Sequence, residues 1–283
     1  MLNFVRDLLQ PPPGVAVDFL QPAGAPALIA ADSISWRIFA NPVSLFIGGV
    51  AAVLLELAEP SVRSGVWDHS SFERDPLTRL KRTGFAAMVT VYAPREQAEK
   101  LIARVVQMHG HVKGQTPDGL AYTANDPRLL NWVQATASFG FCEAYHQYVQ
   151  ALTTAEKSQV LAEGKLPASL YGATDSPASW PQWQQLLEHT APGLESSAIL
   201  AEFLDIMERA PLLPALLRPL QKLLIAAAVE MTPEPVRSFA PLQGRGLNRL
   251  QRSCVKILAQ LAQWLPLPGL PAAQARQRMR SQR

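Results

Sequence analysis

Apolar residues recur along most of the chain at intervals of three and four, the spacing that places them on one face of an α-helix. In the first half, these runs cover residues 42–58, 76–92 and 94–112. In the second half they cover residues 127–152, 181–190, 196–209, 214–231 and 247–265, and a helix after Thr153 runs to Gly164. No stretch of strict alternation is long enough to predict a strand. The pattern therefore predicts a nearly all-helical protein.

Three of these runs begin with the same pair of residue types, an Asn or Asp followed by Pro. The pairs are Asn41-Pro42, Asp75-Pro76 and Asp126-Pro127. The side-chain oxygen of the first residue can accept hydrogen bonds from the free amide groups of the first turn, and a proline in that turn sacrifices no hydrogen bond. We therefore expect a helix to start at each pair.

The distribution of prolines and apolar stretches indicates one domain. We expect an N-terminal arm over residues 1–30, a single helical domain over 31–265 and a basic, disordered tail over 266–283. The stretch closest to a membrane span, Val43 to Leu55, is shorter than the roughly 18–20 apolar residues that a spanning helix needs. The N-terminus lacks the pattern of a signal peptide, so we expect a cytoplasmic protein.

The net charge of +3 comes from the C-terminal tail, because four of the last eight residues are arginine. Without these four the chain carries a net charge of −1. No basic face is then left on the body of the protein to attract nucleic acid, and we expect no such partner.

The two cysteines, Cys142 and Cys254, show no metal-ligand spacing. Each lies on the apolar stripe of a predicted helix. We expect both to be buried thiols rather than disulfide partners or nucleophiles.

His109 is the histidine best placed to bind a cofactor. It lies on the apolar stripe of the helix predicted after Pro94, whereas His111 lies on the polar side. The stripe consists of Ala98, Leu101, Ile102, Val105, Met108, His109 and Val112. Neutral imidazole is a common ligand of haem iron, but an inward-pointing histidine can equally be a hydrogen-bonded core residue. His146, on the apolar side of the helix after Pro127, is a rival ligand.

A second group of polar residues, Arg79, Arg82 and Thr83, shares one face of a predicted helix because its members are three and four residues apart. Such a face is often simply solvated. Guanidinium groups beside a hydroxyl can also bind an acidic group such as a haem propionate, or polarise an oxygen species. Just before this helix, Asp68 and His69 belong either to a structural loop or to a lid with acid–base capacity.

Several segments occur together in the order and approximate spacing of a known family. They are Ile34-Ser35-Trp36-Arg37, Asn41-Pro42 with Gly48-Gly49, Asp68-His69-Ser70-Ser71-Phe72, Arg79-x-x-Arg82-Thr83, Met108-His109-x-x-Val112, and Tyr122 to Pro127 with Trp132-Val133. In this combination the chain resembles the family of the MpaB-type oxygenases and the latex-clearing rubber oxygenase, over about Ile34 to Leu152. Two positions depart from many relatives, because Glu59 and Gln134 stand where those relatives have histidine.

The resemblance implies an all-α, multi-helix bundle with a globin-like core that holds a b-type haem. It implies that His109 ligates the iron and that Arg79, Arg82 and Thr83 lie near the haem. The leading hypothesis is therefore a haem-dependent oxidoreductase, an oxygenase acting on a small hydrophobic substrate, unsaturated or lipid-like, with dioxygen or peroxide. Arg79, Arg82 and Thr83 are then candidate catalytic residues, and Asp68 and His69 are further candidates.

Two other hypotheses fit the sequence. One is a non-catalytic protein that binds an apolar ligand or a membrane surface on the same scaffold, with residues 247–283 as the peripheral membrane contact. The helix predicted over 247–265 has the pattern of such a surface helix, but the same pattern is typical of a helix packed on its own domain. Its apolar residues are Leu250, Cys254, Ile257, Leu258, Leu261 and Trp264, and its basic residues are Arg249, Arg252 and Lys256. The other is a non-haem iron protein with His69, His109 and a carboxylate as ligands.

Overall fold

The structure is a computed structural model that describes residues 16–70, 72, 74–265 and 267–280. Secondary structure in these ranges is almost entirely α-helical, which confirms the predicted fold class. The helices are α1 (Ile34–Ile38), α2 (Pro42–Ala58), α3 (Pro60–His69), α4 (Pro76–Tyr92), α5 (Arg95–His109), α6 (Pro127–Tyr148), α7 (Thr154–Glu163), α8 (Lys165–Tyr171), α9 (Trp180–Thr190), α10 (Ala198–Arg209), α11 (Arg218–Met231), α12 (Arg249–Trp264) and α13 (Pro271–Arg280). Short 3-10 turns cover Ala191–Gly193, Ala215–Leu217, Val236–Ser238 and Ala240–Leu242.

The three predicted Asn-Pro and Asp-Pro starts are confirmed. The side chains of Asn41, Asp75 and Asp126 each accept a hydrogen bond from a backbone amide in the first turn of α2, α4 and α6. Thr153 caps α7, where Glu156 completes a capping box as predicted. These starts could be predicted because a cap and the amide that it satisfies lie within four residues of each other.

The centre of the fold is the pair α2 and α6, which approach each other closely at two glycines. A Cβ atom added to Gly48 would lie 2.6 Å from the carbonyl oxygen of Gly140, so neither helix tolerates a side chain at the crossing. Around this pair, α10, α11 and α12 complete the main apolar core. The α2–α6 pair therefore forms a closely packed wall.

A second layer consists of α4, α5 and α13, together with residues 16–30. The Arg278 side chain on α13 is buried and donates hydrogen bonds to the carbonyl oxygens of Phe19, Ala25 and Tyr92. Residues 271–280, predicted to belong to a disordered tail, are thus an ordered helix. The sequence pattern did not predict this helix because Arg278, which anchors it, bonds to carbonyl oxygens far away in the sequence rather than to neighbouring residues.

The N-terminal arm is also packed over its described part, where Phe19, Leu28 and Ile29 are buried against this second layer. Residues 1–15 of that arm, and residues 281–283 of the tail, lie outside the described residues. Ser71, part of the Asp68 to Phe72 segment, lies outside them as well.

Two elements were not predicted. A short antiparallel hairpin pairs β1 (Lys113–Gln115) with β2 (Ala121–Thr123), and each strand is too brief to show alternation. Helix α3 follows α2 directly, with Glu59 as its N-cap. Within the described residues no single helix is long and apolar enough to cross a membrane; α2 and α3 reach that length only as a pair, bent by 109° at their junction.

Helix α12 turns its apolar stripe outward, which contradicts part of the sequence interpretation. Cys254, expected to be a buried thiol, is exposed, whereas Cys142 is buried as predicted. Burial raises the pKa of the Cys142 thiol to about 12. Small residues, Val255, Ala259 and Ala262, form the inner face of α12, so the helix packs closely while its larger apolar residues remain outside.

Candidate functional site

His109 is the last residue of α5, and its ring is partly buried. Its Nδ1 atom is buried and has no hydrogen-bond partner among the described residues. The prediction of an inward histidine is consistent with this placement, and His111 is exposed as expected. Met108, predicted to lie on the same inward stripe, is instead 60% exposed, because the stripe has turned past it at the helix end.

The environment of His109 favours a neutral imidazole. Burial lowers its pKa from the usual value, and the positive charge of Arg79 lowers it further. A neutral ring keeps a nitrogen lone pair, which is the form that binds a metal ion. A buried nitrogen without a partner is also costly in an apolar setting, so this site favours a ligand that would satisfy it.

The end of α5 is held in place by the segment that leads into α6. Asn125 donates a hydrogen bond from Nδ2 to the carbonyl oxygen of Val106, 3.2 Å away, and the Ala124 amide donates to the carbonyl oxygen of Val112, 2.9 Å away. These bonds flank His109 on both sides in sequence. Asn125 was not singled out from the sequence, and we assign it to positioning His109.

Arg79 comes from α4 and interacts electrostatically with His109. Its guanidinium donates a hydrogen bond to Thr83 Oγ1, and that hydroxyl donates in turn to the Arg79 carbonyl oxygen. The predicted sharing of one face by Arg79 and Thr83 is thus observed. Arg79 is partly buried, whereas Arg82 and Thr83 are exposed. Burial lowers the pKa of Arg79.

Glu56 on α2 is a member of this site that the sequence interpretation missed. Burial raises its pKa to about 7, and the charge of Arg79 and a hydrogen bond from Thr136 oppose the rise. The Thr136 hydroxyl on α6 lies 3.5 Å from Glu56 Oε1. The available signal was a carboxylate in the apolar run of α2, directly after the stretch Val43 to Leu55.

Glu56, Arg79 and His109 interact electrostatically, and we infer that they line a recess between two helix pairs, α2 with α6 and α4 with α5. Close packing is extensive between α2 and α6, and α4 packs against α5 over a smaller area, whereas contacts of α2 with α4 or α5 are at most sparse among the described residues. Glu56 and Arg79 keep some accessible surface, yet burial is the largest cause of their pKa shifts. Both properties together are typical of side chains at the bottom of a crevice.

Partly accessible apolar residues of α2 and α6 are the candidates for the walls of this inferred recess. Gly49 and Val53 precede Glu56 by seven and three residues, and all three are partly accessible in a helix that is otherwise largely buried. Val133 and Ala137 form the corresponding stripe on α6. The recess therefore combines an apolar lining with one imidazole, one guanidinium and one carboxylate.

The family model described as "ER-bound oxygenase mpaB/B'/Rubber oxygenase, catalytic domain" matches residues 36–266, which is most of the chain. The chain belongs to this oxygenase family. The resemblance inferred from the sequence motifs is thereby confirmed. No curated protein and no solved structure gives a match.

Asp68 and His69 close α3 in this oxygenase-family chain, and both are exposed. The His69 ring meets the Tyr122 ring edge-on, with centroids 6.3 Å apart. Burial, and secondarily the charge of Asp68, raises the pKa of Tyr122. Asp68 and His69 thus interact with Tyr122 of the hairpin. The assignment of these two residues to an acid–base lid stays a prediction.

One of the two departures from the family pattern has a structural role. Glu59 accepts a hydrogen bond from the Val62 amide as the N-cap of α3, and its other carboxylate oxygen pairs with Arg128 at 3.0 Å. Gln134 lies on α6 near Gly164, where α7 meets α8. Neither residue is among the three that define the recess.

The other candidate sites are less well suited to bind a cofactor. The rival ligand His146 uses Nδ1 to accept a hydrogen bond from the Leu152 amide. Across the part of the chain that the structure describes, no three His, Cys, Asp or Glu side chains are grouped to hold a metal ion, so the alternative three-ligand iron site is not formed there. A surface cleft of about 680 Å³ between α10 and α11 is lined mainly by charged residues of both signs.

Proposed function

We propose that the protein is a haem b-dependent oxygenase that acts on a small hydrophobic substrate, with His109 as the iron ligand. The observation that carries this proposal is the neutral His109 imidazole, whose buried Nδ1 lacks a partner at the edge of an apolar recess. Membership of an oxygenase family supports oxidative chemistry. Haem, the substrate class and dioxygen or peroxide as co-substrate are parts of the proposal.

The residues of the recess fit a haem. A porphyrin needs apolar walls and a neutral imidazole, both of which the recess offers. Its propionates need cations, and Arg79, with Arg82 and Thr83 at the accessible end of the same helix face, would bind them.

When bound, haem would supply the activation of the oxygen co-substrate. The chain's own residues then have separable tasks. His109 would hold the iron, and Asn125 fixes the helix end that carries His109. Glu56 changes its protonation state near neutral pH, so its carboxyl group accepts or releases a proton in the recess.

Arg79 serves two partners in this proposal. Its charge adds to the effect of burial in lowering the pKa of His109, and it opposes the rise that burial causes in the pKa of Glu56. The hydrogen bond to Thr83 fixes its guanidinium group along the α4 face. The apolar residues Gly49, Val53, Val133 and Ala137 exclude water and admit a hydrophobic substrate.

The test is an absorption spectrum of protein purified after expression with added haem precursor. We expect a Soret band and stoichiometric haem in the wild type. His109→Ala should lose the band or shift it strongly, because iron loses its protein ligand. His111→Ala is the matched control, since this exposed imidazole is two residues away and should leave the spectrum unchanged.

Two results would overturn the proposal. One is a wild-type protein that binds no haem when haem is supplied. The other is a haem spectrum that is identical in His109→Ala and wild type. Oxygen consumption with hydrophobic alkenes or lipids as trial substrates then distinguishes an oxygenase from a non-catalytic haem or apolar-ligand protein.

A further inference from the structure

Helix α12 presents a continuous apolar stripe to the outside of the protein. Its members follow one another at alternating intervals of four and three residues, so they lie on one face along the whole helix. They are Leu250, Cys254, Ile257, Leu261 and Trp264. The exposed fraction is 80% for Leu250 and 84% for Trp264, at the two ends of the stripe.

This exposure is not a consequence of loose packing. The opposite face of α12 is fixed by buried Val255, Ala259 and Ala262. Asn41 Nδ2 donates a hydrogen bond to the Ala259 carbonyl oxygen, 2.8 Å away. Arg252 is anchored by an ion pair with Glu230 on α11. The helix is therefore held firmly on the body while its large apolar residues project away from it.

The charged residues of α12 and of the chain around it in sequence are all basic. Residues 235–283 contain nine Lys and Arg and no Asp or Glu, so the first 234 residues carry a net charge of −6 in a chain of net charge +3. On α12 itself, Arg249 and Lys256 are exposed along one edge of the stripe. Neither forms an ion pair with another residue that the structure describes, whereas Arg245 and Arg252 are paired with acids of α10 and α11.

We propose that α12 docks on the surface of an anionic lipid bilayer, with the stripe inserted below the headgroups and Arg249 and Lys256 among them. An apolar face flanked by cations on a helix that lies parallel to the surface is the arrangement that interfacial helices use. Cations at the bilayer surface are attracted to anionic headgroups, and Trp264 is the residue type that favours the membrane interface. This inference does not depend on haem binding.

The same charges disfavour a second copy of the chain as the occupant. Two α12 helices packed stripe to stripe would bring Arg249 and Lys256 of both copies close together. Because α12 contains no acidic residue, no carboxylate of the partner helix could neutralise them. An anionic bilayer can bury the apolar stripe and also attract Arg249 and Lys256.

The experiment is co-sedimentation of the full-length protein with vesicles of phosphatidylcholine, alone or mixed with phosphatidylglycerol. We expect binding to the mixed vesicles, and weak binding to neutral ones. Ile257→Asp with Leu261→Asp should reduce binding at least about tenfold, because two charges would enter the apolar boundary. The control is Leu216→Asp, which changes another exposed leucine, 90% accessible, outside α12.

A second pair of variants tests the charged edge. Arg249→Glu with Lys256→Glu should weaken binding to mixed vesicles by at least about tenfold, and added salt should weaken wild-type binding. Arg104→Glu with Lys165→Glu changes the net charge equally at exposed positions outside α12 and should have a small effect. The fluorescence difference between wild type and Trp264→Phe should shift to shorter wavelength on binding.

Several outcomes would overturn the proposal. Failure to sediment with anionic vesicles would do so, as would equal binding of wild type and the Ile257/Leu261 variant. A dimer in light scattering that this double variant converts to a monomer would assign the stripe to a second copy instead. Circular dichroism of each variant verifies that the fold is retained.

Discussion

Glu56 on α2 and Arg79 on α4 interact across the recess, and each opposes the pKa shift that burial imposes on the other. No direct ion pair joins them in the described structure, so the attraction acts at longer range. Burial alone would favour the neutral carboxylic acid form of Glu56 and would lower the pKa of the Arg79 guanidinium further. The charge of the pair therefore changes near neutral pH through Glu56, whose pKa is about 7.

Removal of Arg79 should raise the pKa of Glu56. In Arg79→Gln the attraction that stabilises the carboxylate is lost, so we expect the pKa to rise above about 7, by roughly one unit. Infrared titration of the carboxylic C=O band, assigned by its absence in Glu56→Gln, measures the shift. Arg82→Gln is the control, because exposed Arg82 is not among the causes of the Glu56 shift. Equal titrations in wild type and Arg79→Gln would contradict this prediction.

Glu56 should make stability fall as the pH rises through the neutral range. A carboxyl group whose pKa is higher in the folded state than in the unfolded one binds more protons when folded, so the free energy of unfolding decreases between about pH 4.5 and 7. Glu56→Gln should abolish this slope and stabilise the protein at pH 8 by about 1–3 kcal/mol. Urea unfolding at pH 5 and pH 8 tests it, and parallel pH dependences in the two proteins would count against it.

The α2–α6 crossing should be intolerant of a methyl group. In Gly48→Ala the new Cβ would overlap the backbone of Gly140, and the helices would have to separate. We expect a loss of about 2–3 kcal/mol or failure to fold. Gly49→Ala is the control, because its Cβ would have ordinary contact with the Phe141 ring and should stabilise the helix by up to about 1 kcal/mol. Thermal unfolding of both variants decides, and similar melting temperatures would refute the close approach.

The buried Arg278 should be essential for anchoring α13. Arg278→Ala would leave the carbonyl oxygens of Phe19, Ala25 and Tyr92 without donors, at a cost of about 3 kcal/mol. The matched control is Arg280→Ala on the exposed side of the same helix, which should be close to neutral. Denaturant unfolding and limited proteolysis after residue 265 provide the measurements. Resistance to proteolysis in Arg278→Ala would show that α13 is held by other contacts.

The sequence was sufficient wherever the stabilising interaction is local. The starts of α2, α4 and α6 are correctly predicted because Asn41, Asp75 and Asp126 act on amides two or three residues away. Helix α3 was missed because its cap, Glu59, is not among the usual capping residues and its oxygen reaches a distant Arg128.

The sequence was insufficient wherever the interaction crosses the fold. Periodicity identifies the apolar stripe of α12 but does not determine whether it faces the core or the solvent, and it faces the solvent. Glu56 acquires its raised pKa from burial, and Arg79, 23 positions later in the chain, opposes that rise. His109 could be recognised because a helical stripe and a family motif pointed to the same residue.

The contact of Gly48 with Gly140 also decides which parts of the molecule can adapt to a ligand. Two backbones that touch without intervening side chains have no rotamers to adjust, so α2 and α6 behave as one stationary unit. Any widening of the recess for a bulky guest then has to come from α4 and α5, whose ends are tied down by Arg278 and Asn125. The size of molecule that the protein admits therefore depends on how far these two hydrogen-bonded helix ends can move.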